Sequence, residues 1–497
     1  MEMIKEQITD RFERQKTIAS IVTPLGEGGI GKIIVSGPDS LSVVNKMFQG
    51  KGLTDLREAV SHKLYYGHIY DKGLRIDEVI LNIIRREDSF TGEDVVEVNC
   101  HGGVRVLMRI FECLQSTGAE GVEWNSLLSQ SFENDKMDFI QKEALQKIVQ
   151  VPTKLGVKVL LDQYAGALSG ALKQGVEITE EIRQSLNKEE YYHNVIVHPN
   201  PPPSEGRESD DLPRYTFSSP GGRRLGGGGR DLLHNISASV SALSNLIERL
   251  LETAPFGMAL TTPQVLVILG KPNVGKSTLI NAILGEERML VHHEPGTTRD
   301  YVSEVISIKG IPFELVDTAG VRDTSDKLEA MSIEITQEQL RRADKVFAVF
   351  DNSRPFDNED EGILKSLNSW LEAKNFDNLY RKADMNVIIP VINKCDLPAK
   401  LNKKRIETES KQPVCYISAQ NRTGLEDLNR RLIQGSDTVY KPMRPVVFNK
   451  RQYHLLAKAD ALVKQKKDCL TAESKNSDVR EVIDELKDIF MACLKGS

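Results

Sequence analysis

The residues Gly270-Lys271-Pro272-Asn273-Val274-Gly275-Lys276-Ser277 could grip a row of phosphates. Glycines at both ends let backbone N–H groups turn inward around anionic oxygens, and a helix beginning at Lys276-Ser277-Thr278 would aim its positive end at them. Lys276 can reach the β- and γ-phosphates, and the Ser277 hydroxyl can hold Mg²⁺. Four shorter patterns follow in order. Gly296-Thr297-Thr298-Arg299-Asp300 could offer Thr298 as a second Mg²⁺ ligand. In Asp317-Thr318-Ala319-Gly320 the acid could hold the metal's water shell, and Gly320 leaves its N–H open to a γ-phosphate. Asn393-Lys394-Cys395-Asp396 supplies a carboxylate, Asp396, able to accept from the N1–H and N2–H₂ edge of guanine. Adenine lacks that donor pair, so a buried Asp396 would be left unpaired against it. Ser418-Ala419 could present a backbone N–H to the guanine O6. Singly, each pattern is an ordinary turn or polar loop. In this order, each behind an apolar run, they predict a guanine-nucleotide hydrolase.

The elements that must hold these residues are legible as pattern. Apolar runs at 265–269, 313–316, 387–392 and 414–417 read as buried strands that each deliver a motif at the carboxyl end, and 278–284 reads as a helix. Around this nucleotide domain, assigned to 261–436, the texture differs. Residues 1–125 read as a small α/β domain, with strands at 18–22, 32–35 and 79–84 and a helix at 104–115. Residues 126–260 and 437–497 carry helical apolar spacing and predict one helical domain interrupted by the nucleotide domain. Within it, 198–230 is rich in Pro and Gly and reads as a disordered insertion. A basic arm built on Arg223, Arg224 and Arg230 is the alternative, weakened by Glu205, Glu208, Asp210 and Asp211.

Composition narrows the setting. The chain has 497 residues, suggesting about three domains, and a formal charge of −6. Such mild acidity does not mark a nucleic-acid binder, although a local basic patch stays open. Six scattered cysteines without a CxxC pair argue against a disulfide frame or zinc site. No apolar run reaches the ~18 residues of a membrane span, and the acid-bearing start fits neither a secretory nor a transit peptide, so a cytoplasmic protein with no membrane contact is expected.

Three further stretches carry a family resemblance. They are Thr17-Ile18-Ala19-Ser20-Ile21-Val22-Thr23-Pro24 with the glycine-rich turn to Gly31, then Ser89-Phe90-Thr91-Gly92-Glu93-Asp94-Val95-Val96-Glu97 running to His101-Gly102-Gly103, and Phe132-Glu133-Asn134-Asp135-Lys136-Met137-Asp138. With the nucleotide motifs they resemble the MnmE (TrmE) family of tRNA wobble-uridine modification GTPases over most of the chain outside about 190–235. The resemblance implies a multidomain α/β plus α protein: a Ras-like P-loop G domain inserted in a helical domain, behind a small N-terminal folate-binding-like domain. It implies GTP contacts at Asn273, Val274, Gly275, Lys276, Ser277, Thr278, His292, His293, Glu294, Pro295, Gly296, Thr297, Thr298, Asp317, Thr318, Ala319, Gly320, Asn393, Lys394, Asp396, Ser418 and Ala419. A K⁺ ion would lie at Asn273, His292, Glu294 and Thr297, and Mg²⁺ at Ser277 and Thr298.

Val321 follows the DTAG motif where many GTPases carry a water-orienting Gln. The family uses a glutamate twelve residues past the Asp, here Glu329, which on its own would read as a solvated helix-start residue. Glu329 and Lys276 are therefore the expected catalytic residues. A one-carbon tetrahydrofolate (5-formyl or methylene) would meet Glu97, Lys136 and Lys495. Ile34 stands where the family has an arginine, and the C-terminal Ala492-Cys493-Leu494-Lys495-Gly496 departs from the family's ending. Cys493 is either the counterpart of the family cysteine or a buried small residue. The implied partners are a second copy of the chain, GTP and GDP, tRNA and the flavoprotein MnmG, in a heterotetramer. Two other readings stay open: a GTP-switched ribosome or assembly factor, and a family member that has lost tRNA-modifying activity.

Overall fold

The computed structural model describes residues 16–52, 55–197, 227–285, 304–316, 340–373, 387–436, 438–465 and 476–496. The chain divides into two units, 1–146 and 147–497. The first is built on strands β1 (Ile18–Ile21), β2 (Ile30–Ser36), β3 (Phe48–Gly50), β4 (Lys63–Asp71), β5 (Leu74–Ile84), β6 (Val95–His101) and β7 (Glu120–Gly121). They lie in the order β3-β4-β5-β6-β2-β1-β7, antiparallel except where β7 joins β1. Alternation decides which face is covered. Val79, Leu81 and Ile83 share a core with Val96, Val98, Ile33 and Val35. Helices α1 (Ser40–Asn45) and α2 (Val104–Thr117) close that face, with Leu107, Ile110 and Leu114 of α2 buried at helical spacing. On the other face Ile34 packs with Val95 and with Leu127 of α3 (Asn125–Glu133). Helix α4 is Phe139–Ile148. The unit runs past the boundary read at residue 125 because α3 contributes Leu127 here and its Ser131 hydroxyl donates to the Phe90 carbonyl.

The second unit opens with helices α5 (Lys154–Tyr164), α6 (Ala167–Val197), α7 (Gly227–Glu252) and α8 (Ala254–Thr261). Then come β8 (Gln264–Leu269), α9 (Lys276–Leu284), β9 (Glu304–Ile308), β10 (Ile311–Leu315), β11 (Lys345–Asp351), α10 (Asn358–Ala373), β12 (Ile388–Asn393), α11 (Lys403–Ser410), β13 (Cys415–Tyr416) and α12 (Leu425–Ile433). Helices α13 (Lys450–Gln465) and α14 (Asn476–Lys495) follow. The six strands are ordered β13-β12-β11-β8-β10-β9 and are parallel except for the β9–β10 hairpin. The next strands to join β8 do so on opposite sides, which makes its carboxyl end a topological switch point, where open α/β sheets bind ligands. All seven residues of β11 are buried, as expected of a strand covered on both faces.

Helices from both sides of this sheet in sequence pack together: α6 with α7 and α14, and α13 with α7 and α14. Leu168, Leu172, Leu243, Ile247, Leu456, Leu486 and Phe490 are buried in them. Helix α7 already includes 227–230, the last residues of the stretch read as a disordered insertion. Once a helix is nucleated, each added residue brings one hydrogen bond, so an amphipathic run extends back through glycines. Residues 198–226 lie outside the described residues.

Candidate functional site

The apolar strand β8 ends at Leu269 and hands the chain to the phosphate loop. Asn273 and Gly275 take positive φ, +63° and +96°, and Gly275 is the residue before α9 with no side chain capping that helix. The first N–H groups of α9 are thus left for an anion. A Cβ at Gly275 would lie 2.3 Å from Asn393 Nδ2, so close packing as well as backbone conformation demands glycine. Lys276 folds back, its Nζ donating to the carbonyls of Gly270 (2.7 Å) and Lys271 (2.9 Å). Burial pushes its ammonium below the ordinary lysine range, with no carboxylate among those partners to offset it. A phosphate group would supply the counter-charge that these two carbonyls do not.

The loop from Asn393 to Asp396 is joined to the loop from Gly270 to Ser277 by two side chains. Asn393, at the end of β12, donates from Nδ2 to the Val274 carbonyl (2.9 Å) and accepts from the Ala419 N–H (3.0 Å). Lys394 donates to the Asn273 carbonyl (2.6 Å) and to Asp351 Oδ2 (2.7 Å). Asp396 accepts from the Ser418 hydroxyl at 2.5 Å, and the Cys395 N–H meets the Ile417 carbonyl at 3.1 Å. Gly275, Lys276, Asn393, Lys394, Asp396, Ser418 and Ala419, separate in sequence, therefore stand in one connected arrangement. Asp396 is exposed, not buried as the sequence argument supposed. Its carboxylate is open to solvent and could meet a hydrogen-bond donor from there.

Asp351 was not anticipated. It ends β11 with 3 % exposure. Desolvation works against its charge, but the Lys394 ammonium and the Ser353 hydroxyl and N–H outweigh it and hold the carboxyl below its usual range. The signal was an acid closing the apolar run at 346–350, with no familiar motif attached. The expected site residues His292, His293, Glu294, Pro295, Gly296, Thr297, Thr298, Asp317, Thr318, Ala319, Gly320 and Glu329 lie outside the described residues.

In the first unit, Glu97 Oε2 accepts from Lys32 Nζ and Asn82 Nδ2, each at 3.1 Å. Lys32 and Ile34 share a face of β2, and Ile34 is paired with Glu97 across the sheet. Lys136 Nζ reaches the Glu87 carbonyl at 3.4 Å. Cys493 is fully buried in α14, its carbonyl accepting from Arg451, and Lys495 is exposed at the end of that helix.

Comparison with known proteins agrees with both halves of this description. Residues 17–136 match the family model described as GTP-binding protein TrmE N-terminus, and residues 265–394 match that described as 50S ribosome-binding GTPase. A protein of Lactobacillus delbrueckii subsp. bulgaricus is 33 % identical over 458 residues, covering 91 % of this chain and 88 % of its own. One of Bacillus cytotoxicus is 32 % identical over 454 residues (89 % and 87 %), and one of Geobacillus kaustophilus 31 % over 458 (90 % and 88 %). All three are named tRNA modification GTPase MnmE.

The chain belongs to the MnmE family.

The MnmE relatives match 89 % and 91 % of this chain, against 87 % and 88 % of their own length. Among the described residues no helix is long and apolar enough to cross a membrane.

Proposed function

We propose that this protein is a GTP hydrolase of tRNA modification, with a Ras-like G domain inserted in a helical domain. The observation that carries the reading is the pair Asn393 and Lys394, which clasp the phosphate loop by its Val274 and Asn273 carbonyls beside the base-reading Asp396. One ligand must satisfy both ends: an anionic tail at Lys276 and a guanine edge at Asp396. Lys276 would neutralise charge gathering on the β–γ bridge as water attacks the γ-phosphorus and GDP leaves. Glu329 would orient that water. Mg²⁺, held by Ser277 and Thr298, and K⁺, held by Asn273 with His292, Glu294 and Thr297, would supply positive charge to the phosphate oxygens.

Hydrolysis would drive motion in a homodimer working with the flavoprotein MnmG on the wobble uridine of tRNAs in the cytoplasm. A one-carbon tetrahydrofolate is the expected carbon source, and Lys32 is the cation nearest Glu97 on the sheet face where Ile34 replaces an arginine. The N-terminal match favours this reading over a ribosome factor, because such a factor needs no TrmE N-terminal domain.

Calorimetry with GTP and ATP, turnover in K⁺ and in Na⁺, and mass analysis of wobble nucleosides test the three layers in turn. Binding of GTP alone, faster turnover in K⁺ and loss of the modified uridine without the protein are expected. Equal heats from ATP would overturn the nucleotide assignment. Unchanged nucleosides with intact GTP turnover would leave a family member without tRNA activity. Glu329→Ala is expected to bind GTP normally and turn it over slowly; parental turnover would exclude the assigned role.

A further inference from the structure

The second residue of the phosphate loop has partners that nucleotide binding does not explain. Lys271 has a side chain only 9 % exposed, and its Nζ lies 2.7 Å from Asp357 Oδ2 and 2.8 Å from Asp360 Oδ2. The two aspartates cap the first turn of α10. Asp357 Oδ1 accepts from the N–H groups of Glu359 (3.0 Å) and Asp360 (3.2 Å), and Asp360 Oδ2 accepts from the Asp357 N–H (3.2 Å). This is a reciprocal capping box with aspartate at its third helical position. The turn is braced on its far side, where Arg405 of α11 bonds Glu361 and lies over the Phe356 ring. One element of the loop is therefore tied to a stiff helix start.

The tie reaches the reacting end through one atom. The carbonyl of Lys271 is one of the two that hold Lys276 Nζ. Its side chain and its carbonyl belong to one residue, so anchoring the ammonium restricts the peptide that parks the phosphate-contacting lysine.

We propose that Lys271 is a positioning residue for GTP hydrolysis, its ammonium clamped between Asp357 and Asp360 so that the first turn of α10 sets where Lys276 stands. The inference rests on the GTPase reading above. Breaking a buried, hydrogen-bonded ion pair leaves uncompensated charge, here the Asp360 carboxylate, 4 % exposed, while Asp357 at 55 % keeps its water, and the loop moves to relieve it. Small displacements of a positioning group cost large factors in rate. The ground-state grip on GDP, spread over many backbone N–H groups, suffers less.

The test is steady-state GTP turnover, fluorescent-GDP affinity and apo melting temperature of the full chain for K271M, K271R and D360N. In K271M, kcat is expected to fall about tenfold or more while KM and GDP affinity change by less than about threefold. K271R, whose planar fork can span both carboxylates, is expected to recover to within about threefold of the parent. D360N keeps the shape of the turn, removes one charge and is expected to show the same split, more weakly. Parental kcat in K271M overturns the proposal. So does a loss that follows melting temperature in all three variants with no recovery in K271R, because stability alone would then explain it. A parental chain that turns over no GTP overturns the GTPase reading instead.

Discussion

Two single residues show how conformation and burial become measurable. Gly275 is held at φ +96° with Asn393 Nδ2 where a Cβ would go, so Gly275→Ala strains the loop and pushes away the amide that joins it to Ala419. GTP affinity is expected to drop about tenfold or more, roughly 1.4 kcal/mol, by calorimetry. Lys345 is different. It is buried at the start of β11, with Nζ donating to the Leu432 carbonyl at 2.6 Å, and desolvation lowers its ammonium to about 8, with Asp344 pulling the other way. In the unfolded chain it titrates near 10.5. Between those values the unfolded state holds the extra proton, so this group's contribution to stability rises with pH, is complete above 10.5 and is lost as pH falls through about 8. Subtracting the urea-unfolding free energy of Lys345→Met from the parent's should leave a slope of up to about 1.4 kcal/mol per pH unit in that window. A flat difference would mean that Lys345 is not buried as described.

At the scale of elements, the chain leaving α12 is stitched to the helices before the sheet. Asp162 accepts from the Tyr440 hydroxyl and the Met443 N–H, each at 3.0 Å. Gln163 accepts from the Val446 N–H and donates to the Arg444 carbonyl, each at 3.1 Å, and Thr253 Oγ1 accepts from the Val447 N–H at 2.9 Å. The approach is so close that a Cβ at Gly257 of α8 would lie 2.1 Å from the Val447 carbonyl. Gly257→Ala therefore forces this strap from α8 and is expected to cost about 1–3 kcal/mol in urea unfolding, despite alanine's better helix propensity. A stabilised variant would show that the strap yields freely. None of these stitches was readable beforehand, since Asp162 and Gln163 sit in an ordinary amphipathic helix. Strand β11 was missed for a related reason: its run at 346–350 is strongly apolar, yet no motif follows it to draw attention.

At the scale of the whole molecule, the first unit has a core of its own, running from Ala19 to Ala119 among the described residues. Urea or heat is expected to unfold the chain in more than one transition, followed by near-UV circular dichroism with and without GTP. Only the transition of the second unit should rise with GTP, because only the state that binds ligand is stabilised. A single coincident transition, shifted as one by GTP, would contradict this independence.

Order and punctuation along the chain determined the nucleotide chemistry. A loop behind a buried strand needs only the strand to end and particular residues to turn, so apolar runs and glycines were enough to locate Gly270 to Ser277, Asn393 to Asp396 and Ser418-Ala419 at strand ends. What holds these pieces to one another was decided by tertiary structure alone. Asn393 meets a carbonyl 119 residues away, and Lys271 meets carboxylates 86 and 89 residues away. A lysine or aspartate in a sequence reads as solvated, since that is the usual fate of a charge. It becomes a clamp only when the fold removes the water and brings the opposite charge within bonding distance, and no local pattern records that.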